Sequence, residues 1–171
     1  MPVNTTPHIH HVVMCANIFV RKDGKYLLLK RSPLKKYAPN FVHPIGGKID
    51  ADEDPFLAAE REVLEEAGIR VCNVRLEAVV LEIKPAKGED ENWIIFHFSA
   101  DYESGELSDT EEGEFVMLTK EQIYEQNLFP SVRVIIKNIL DPRDGTVFLT
   151  VEYDEQGQLI QTTKKLNICA L

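Results

Sequence analysis

The segment from Gly47 to Ile69 constrains this chain more than any other, because it joins a glycine bend to a helix with clustered acids. A helix is expected to begin at Asp54, whose side chain can cap it, with Pro55 in the first helical position. It is expected to end at Gly68. The residues expected to form its single buried stripe recur at helical spacing: Phe56, Val63, Leu64 and Ala67.

Three glutamates of this helix, Glu62, Glu65 and Glu66, stand at i, i+3 and i+4, so their carboxylates share one face. Like charges at this spacing repel by about 0.2–0.5 kcal/mol per pair, and the last turn of a helix disfavours negative charge. Clustered carboxylates are the usual ligands of magnesium or manganese. Ala58 and Ala59, one turn earlier, are expected to leave room beside them. A solvated acidic face is the alternative interpretation.

The residues around the helix favour the metal-binding interpretation. Gly46 and Gly47 allow the backbone to bend sharply beside a ligand, so a glycine carbonyl can join a metal shell. Glycine and charged positions then follow in a fixed register, which the chain meets at Gly47, Glu53, Arg61, Glu62, Val63, Glu65, Glu66, Gly68 and Ile69. This register resembles the Nudix box, the signature of the Nudix (MutT-type) hydrolases.

The resemblance implies an α+β fold, an α/β/α sandwich with a mixed β-sheet, in which the loop and helix of the box bind divalent cations. Mg²⁺ is the implied cofactor, and Mn²⁺ can substitute for it. The implied ligands are Glu62, Glu65, Glu66 and the Gly47 carbonyl. A further acidic ligand often comes from a loop before a late strand; the candidates are Asp109, Glu111, Glu112 and Glu114, of which Glu111 is chosen.

The resemblance also implies roles in catalysis and substrate binding. Arg61 and Glu53 are implied to orient the loop through an ion pair, while Glu62 and Glu65 act in the reaction itself. Water attacks a phosphorus of the diphosphate, and the residue that takes its proton is left open. Five residues are expected to contact substrate: Lys30, Arg31 and Lys48 at the phosphates, His43 in the base pocket and Phe129 as a stacking partner.

The substrate stays open between several classes. The arrangement after the box, with Phe129 and Pro130 opening a helix and a hairpin at the end of the chain, resembles the relatives that convert nucleoside triphosphates to monophosphates and pyrophosphate. Pro85 stands near the place of a proline in ADP-ribose hydrolases, so an ADP-sugar is the alternative. A nucleotide-binding domain without catalysis and an RNA-decapping enzyme are two further alternatives. The net charge of −9 argues against a stable nucleic-acid partner.

The remaining sequence predicts one domain over residues 1–171, with no membrane segment and a cytoplasmic location. A small phosphorylated nucleotide is the expected partner, and a homodimer is left open. Strands are expected before and after the box, including a C-terminal hairpin at about 146–164. Thr119 with Gln122 predicts a capped short helix, and Ser131 is expected to cap the helix that follows Pro130.

Overall fold

The computed structural model describes residues 12–35, 38–85, 91–141, 144–154, 156 and 158–167. The elements in these residues are, in chain order, β1 (Val12–Lys22), β2 (Lys25–Arg31), β3 (Val42–His43), β4 (Ile45–Lys48), α1 (Pro55–Ala67), β5 (Ile69–Ile83), β6 (Asn92–Gly105), β7 (Gly113–Leu118), α2 (Lys120–Tyr124), α3 (Pro130–Leu140), β8 (Thr146–Tyr153) and β9 (Leu159–Asn167). In this part of the chain no helix is long and apolar enough to cross a membrane.

The described strands form one mixed sheet in the order β3-β2-β1-β6-β5-β8-β9, with β4 paired to β1 and β7 paired to β2. The β1–β6 and β5–β8 pairs are parallel, and the other strand pairs are antiparallel. This order puts β1, β6 and β5 side by side near the centre. Side chains of residues far apart in sequence therefore lie side by side on one face of the sheet.

Helices cover both faces of the sheet. Since successive side chains of a strand point to opposite faces, a strand can contribute to the core on both sides. Along β1, Ala16, Ile18 and Val20 pack in the cluster that includes α1. Cys15 and Phe19 pack in the other cluster, with α2 and α3. The predicted α/β/α sandwich with a mixed sheet is thereby confirmed.

Helix α1 begins and ends as predicted. The Asp54 carboxylate accepts hydrogen bonds from the backbone N–H groups of Phe56 and Leu57, Pro55 occupies the first turn, and Gly68 ends the helix in the left-handed conformation with φ +72°. The predicted stripe was half wrong. Ala58, Ala59, Val63 and Ala67 are the buried residues, whereas Phe56 and Leu64 are 45% and 42% exposed.

The correction to the stripe has a simple geometric cause. Small alanines let α1 approach the sheet closely, so Ala58 and Ala59 are fully buried against it and do not provide space beside the carboxylates. The longer side chains of Phe56 and Leu64 lie at the margin of that contact. Phe56 still packs on the Phe98 ring, with the ring centroids 4.7 Å apart.

The start of α3 also differs from the prediction. Ser131 does not cap the helix; Phe129 is the N-cap and makes no side-chain capping hydrogen bond, while Pro130 occupies the first turn. Ser131 lies inside the helix and is 2% exposed. The capping box of α2 is confirmed, since the Thr119 hydroxyl accepts from Gln122 N–H and the Gln122 side chain accepts from Thr119 N–H.

Candidate functional site

Arg61 is the centre of a charged network on α1. Its Nε and Nη2 donate to the two carboxylate oxygens of Glu53 at 2.9 and 2.8 Å, and Nη2 also donates to the Lys48 carbonyl at 3.1 Å. This two-pronged geometry fixes the orientation of a guanidinium group. The predicted Arg61–Glu53 ion pair is therefore present, and it ties the loop before α1 to the helix.

The same guanidinium also reaches two of the clustered glutamates. Arg61 Nη1 donates to Glu62 at 2.8 Å and to Glu65 at 3.0 Å. The Glu65 side chain is 60% exposed, whereas that of Glu62 is 12% exposed. Part of the repulsion within the cluster is thus balanced by an arginine of the chain itself.

Glu62 lies directly against the glycine bend. A Cβ atom placed on Gly47 would meet the carboxylate carbon and both oxygens of Glu62 at 2.6 Å. Only a residue without a side chain allows that carboxylate to pack on the backbone here. Burial, the largest influence, raises the pKa of Glu62, and Arg61 acts in the opposite direction.

Glu66 is the acid of the cluster that has a buried carboxylate oxygen without a hydrogen-bond donor in the described part of the chain. Its Oε2 is buried and has no hydrogen-bond partner among the described residues, although Gly46 N–H bonds to the carboxylate. The pKa of Glu66 is raised to about 7, first by burial and then by the charges of Glu62 and Glu112. A buried anionic oxygen without a donor marks a position for a cation.

The acid from the later loop that acts on this cluster is Glu112. Its charge raises the pKa of Glu66, and its carboxylate accepts from Lys35 Nζ at 2.6 Å. Glu111, the predicted ligand, is exposed, and no described contact links it to the cluster. The structure therefore favours Glu112 over Glu111.

Within the described part of the chain, no three or more acidic, histidine or cysteine side chains converge closely enough to hold a metal ion without rearrangement. Arg61 Nη1 pairs with both Glu62 and Glu65, so these two carboxylates already share a cation. The Arg61–Glu65 contact is exposed, and exposed ion pairs contribute little to stability. Glu65 can therefore leave Arg61 at small cost.

A cavity of about 460 Å³ opens beside the two glycines. Ligand sites in proteins commonly enclose about 300–1,000 Å³. Its floor is the sheet face that bears alternate residues of β1 and β6, and one wall comes from the start of α3. The residues that line it are Cys15, Asn17, Arg31, His43, Gly46, Gly47, Lys48, Glu82, Pro85, Trp93, Ile95, His97, Phe129, Ser131 and Val132.

Comparison with known proteins decides the family. Residues 9–139, more than half of the chain, match the family model described as the NUDIX domain. The chain belongs to the NUDIX domain family. Over 68 residues it is 40% identical to a MutT-like protein of Streptomyces ambofaciens; this stretch covers 39% of the chain and only 40% of that relative.

Solved structures with the Nudix fold agree. The mutator MutT protein of Bacillus halodurans superposes with a TM-score of 0.77 at 24% identity, covering 89% of this chain and 97% of that one. The MutT NUDIX hydrolase of Burkholderia pseudomallei gives 0.66 at 26% identity, covering 76% and 99%. The predicted family is confirmed by the family model and by these structures.

Four of the five predicted substrate contacts line the cavity beside the Nudix box. They are Arg31, His43, Lys48 and Phe129. Lys30 does not, because neighbouring residues of β2 point to opposite faces and Arg31 takes the cavity side. The Phe129 ring contacts His43 edge-on at 5.9 Å and Phe41 at 5.0 Å, so both aromatic neighbours hold it in place.

His43 takes a defined protonation state in this cavity. Burial lowers the pKa of His43 to about 4, so the ring is neutral at pH 7. Its Nδ1 lies 2.6 Å from the Pro44 carbonyl, which accepts a hydrogen bond only from a protonated nitrogen. The buried Nε2 has no partner among the described residues and is left as an acceptor.

Sequence reasoning missed several residues of the cavity floor beside the Nudix box. Asn17, Glu82 and Trp93 were not proposed as site residues, yet all three line the cavity. For Glu82 a signal existed: Ala78, Val80 and Glu82 alternate along a strand, and a charged residue interrupts the otherwise apolar face. His97 is fully buried and also borders the cavity.

Replacing His97 with leucine is expected to weaken the loss of stability on acidification. Burial lowers the pKa of His97 from 6.5 to about 3, so below pH 6.5 the unfolded chain binds a proton that the folded chain rejects. The free energy of unfolding therefore decreases as the pH is lowered, by up to about 1.4 kcal/mol per pH unit from this ring. Between pH 7.5 and 5 the variant should lose about 2 kcal/mol less than the native chain in urea unfolding.

Equal pH slopes for the two proteins would show that His97 is protonated in the folded state. His43 is left in place in both proteins, so its own contribution cancels in the comparison. The acids whose pKa values are raised act in the opposite sense and cancel in the same way.

Proposed function

We propose that the chain hydrolyses a phosphoanhydride bond in a nucleoside diphosphate linked to another moiety. Nucleoside triphosphates are the preferred substrates, with a nucleoside monophosphate and pyrophosphate as products. One observation carries this proposal: the acidic face of α1 and the cavity meet at one bend. Gly46 bonds to Glu66, Gly47 lies against Glu62, and both glycines line the cavity. A base in the cavity would thus set its phosphates beside the carboxylates.

Two features of the acidic cluster fit a divalent cation. Oε2 of Glu66 is buried without a donor among the described residues, and the Glu62 carboxylate packs directly on Gly47. The groups that would hold Mg²⁺, or Mn²⁺ in its place, are Glu62, Glu65, Glu66 and the Gly47 carbonyl. When bound, the cation activates water and neutralises charge on the pyrophosphate oxygens. As the further acidic group we propose Glu112 rather than Glu111, because its charge acts on Glu66.

The chain's own cations have separate tasks in this proposal. Arg61, held by Glu53, keeps Glu62 in place and supports the loop at the Lys48 carbonyl. Arg31 lines the cavity, and its charge acts on Glu66, Glu112 and His43, so it is placed to attract a phosphate. The Lys48 side chain lines the same cavity and adds positive charge at the bend. The positive charges of Arg31 and Lys48 reduce the repulsion between the acidic cluster and an anionic ligand.

An ADP-sugar is the second candidate, supported by one observation. Pro85 lines the cavity, so the proline that raised this alternative lies where a substrate can contact it. The same carboxylates would then cleave ADP-ribose to AMP and ribose 5-phosphate. Product masses separate the two candidates, because pyrophosphate appears only from a triphosphate.

The test is a screen of the purified chain with Mg²⁺ against nucleoside triphosphates, ADP-ribose and dinucleoside polyphosphates, with products identified by mass. Reactions run in ¹⁸O water also identify the attacked phosphorus, since the label enters one product. We expect turnover that stops with chelator and returns with Mg²⁺. Absence of metal-dependent turnover on every compound, in a chain shown to be folded, would exclude catalysis and leave nucleotide binding as the function.

A further inference from the structure

A buried carboxyl group lies on the cavity floor, separate in the chain from the Nudix box. Glu82 of β5 is 6% exposed and lines the cavity. Ser131 and Tyr153 form hydrogen bonds to it, and among the described residues no salt bridge to Glu82 is present. Placing an unpaired acid among apolar side chains is costly. Stability alone does not explain this residue.

Trp93 stands directly opposite Glu82 in the antiparallel β5–β6 pair. The Cβ atoms of opposite residues in such a pair are about 5 Å apart, and both side chains leave the same face. Trp93 also lines the cavity, and its indole Nε1 is buried without a hydrogen-bond partner among the described residues. The indole N–H is a donor only. The floor therefore offers one donor beside one carboxyl group.

Glu77 shows a different arrangement for a buried glutamate of the same strand. It is 2% exposed, and its carboxylate accepts from Ser99 Oγ at 2.6 Å. It also lies 3.5 Å from Arg75 Nε, so its charge has a cation. Glu77 does not line the cavity. Glu82 likewise bonds to a serine, Ser131, but has no counterpart of Arg75 among the described residues. Its carboxylate can therefore accept further hydrogen bonds from a ligand in the cavity.

We propose that Glu82 and Trp93 select the base of the bound nucleotide, and that the selected base carries the edge of guanine. A carboxylate accepts roughly four hydrogen bonds, and two are used by Ser131 and Tyr153. Guanine presents O6, N1–H and the N2 amino group in a row. The two adjacent donors fit the free capacity of Glu82, and O6 accepts from Trp93. The inference rests on the proposed function only in taking the cavity as the nucleoside site.

The other bases lack this match. Adenine and cytosine each offer a single amino group on that edge, and their neighbouring ring nitrogen is an acceptor. Uracil has one N–H between two carbonyls, so one carboxylate oxygen would face a carbonyl oxygen. Hypoxanthine keeps O6 and N1–H but lacks the amino group. A buried polar site discriminates strongly against a ligand that leaves one of its groups unpaired.

The test uses the chain's single tryptophan, which is Trp93 itself. Its fluorescence is followed while GMP, IMP, AMP and UMP are titrated into the full chain, with no metal and no turnover needed. We expect GMP to bind about tenfold or more tighter than IMP, and tighter again than AMP and UMP. GMP and IMP differ by the amino group alone, so this pair decides the question without any variant.

Glu82→Gln adds the protein side of the test. An amide replaces one acceptor oxygen with a donor, so the GMP preference over IMP should fall to about twofold or less. Glu77→Gln is the matched control, since it changes a buried, serine-bonded glutamate of the same strand outside the cavity. It should keep the preference. Unfolding midpoints of both variants establish that each is folded.

Equal affinities for GMP, IMP and AMP in the native chain, or a folded Glu82→Gln that keeps the preference, would overturn the inference. Preference for GMP without hydrolysis of any nucleotide would leave it standing and remove the proposed function. Hydrolysis of all triphosphates with equal kcat/KM, together with no selective binding, would support the proposed function and overturn the inference.

Discussion

Replacing Glu66 with glutamine is expected to lower kcat/KM for the substrate found in the screen by about a hundredfold or more. The amide keeps the size of the side chain and can still accept from Gly46 N–H. It removes the negative charge from the buried Oε2, which has no donor among the described residues. A site that depends on a cation at this oxygen should lose it, and raised Mg²⁺ should restore only part of the rate.

Glu60→Gln is the matched control for this prediction, because Glu60 lies exposed on the same helix. It changes net charge by the same amount without touching the cluster. Wild-type activity in Glu60→Gln with loss in Glu66→Gln would assign the effect to position. An unchanged rate for Glu66→Gln in Mg²⁺ would remove Glu66 from the cation site.

Stability should move in the opposite direction to activity. The folded chain raises the pKa of Glu66 from 4.5 to about 7, chiefly by burial, so it holds a proton that the unfolded chain releases. The resulting stability is fully present below pH 4.5 and is lost as pH rises through 7. Above that range the native chain carries a buried charge, which glutamine does not. Glu66→Gln should therefore unfold at an equal or higher temperature at pH 8 without metal.

The box was predictable from sequence because its geometry is local. Helical spacing alone puts Glu62, Glu65 and Glu66 on one face, and Arg61 lies eight residues after Glu53, close enough for the loop to return. Asp54 and Gly68 mark the ends of the helix by capping chemistry that depends on neighbouring residues. Such features need no knowledge of the rest of the fold.

The cavity was not predictable in the same way, because its floor depends on the order of the strands. Glu82 and Trp93 come together only through the β5–β6 register, and Asn17 joins them because β1 pairs in parallel with β6. No local pattern fixes that order. The contact of Glu112 was not predictable for a related reason, since the direction of a loop side chain depends on what the loop packs against, here Lys35.

Replacing Gly47 with alanine is expected to lower kcat/KM by about a hundredfold while the chain stays folded. The three atoms nearest to the added Cβ would all belong to the carboxylate end of Glu62, at 2.6 Å. That end belongs to a flexible side chain, so Glu62 can swing away and the backbone need not move. A displacement of about 1 Å at a reacting site can reduce the rate by two orders of magnitude. Steady-state kinetics at several Mg²⁺ concentrations, with thermal unfolding, measures both effects.

Gly46→Ala gives the contrasting outcome that makes this prediction specific. Its Cβ would meet the Ala16 carbonyl oxygen in the neighbouring strand, and Gly46 has φ +152°, which disfavours a side chain. That substitution should destabilise the fold itself, whereas Gly47→Ala should change the unfolding temperature by only a few degrees. If Gly47→Ala kept full activity, the contact between Glu62 and the bend would have no part in catalysis. If instead it unfolded like Gly46→Ala, the contact would serve the fold, since backbone packing would then be what excludes the side chain.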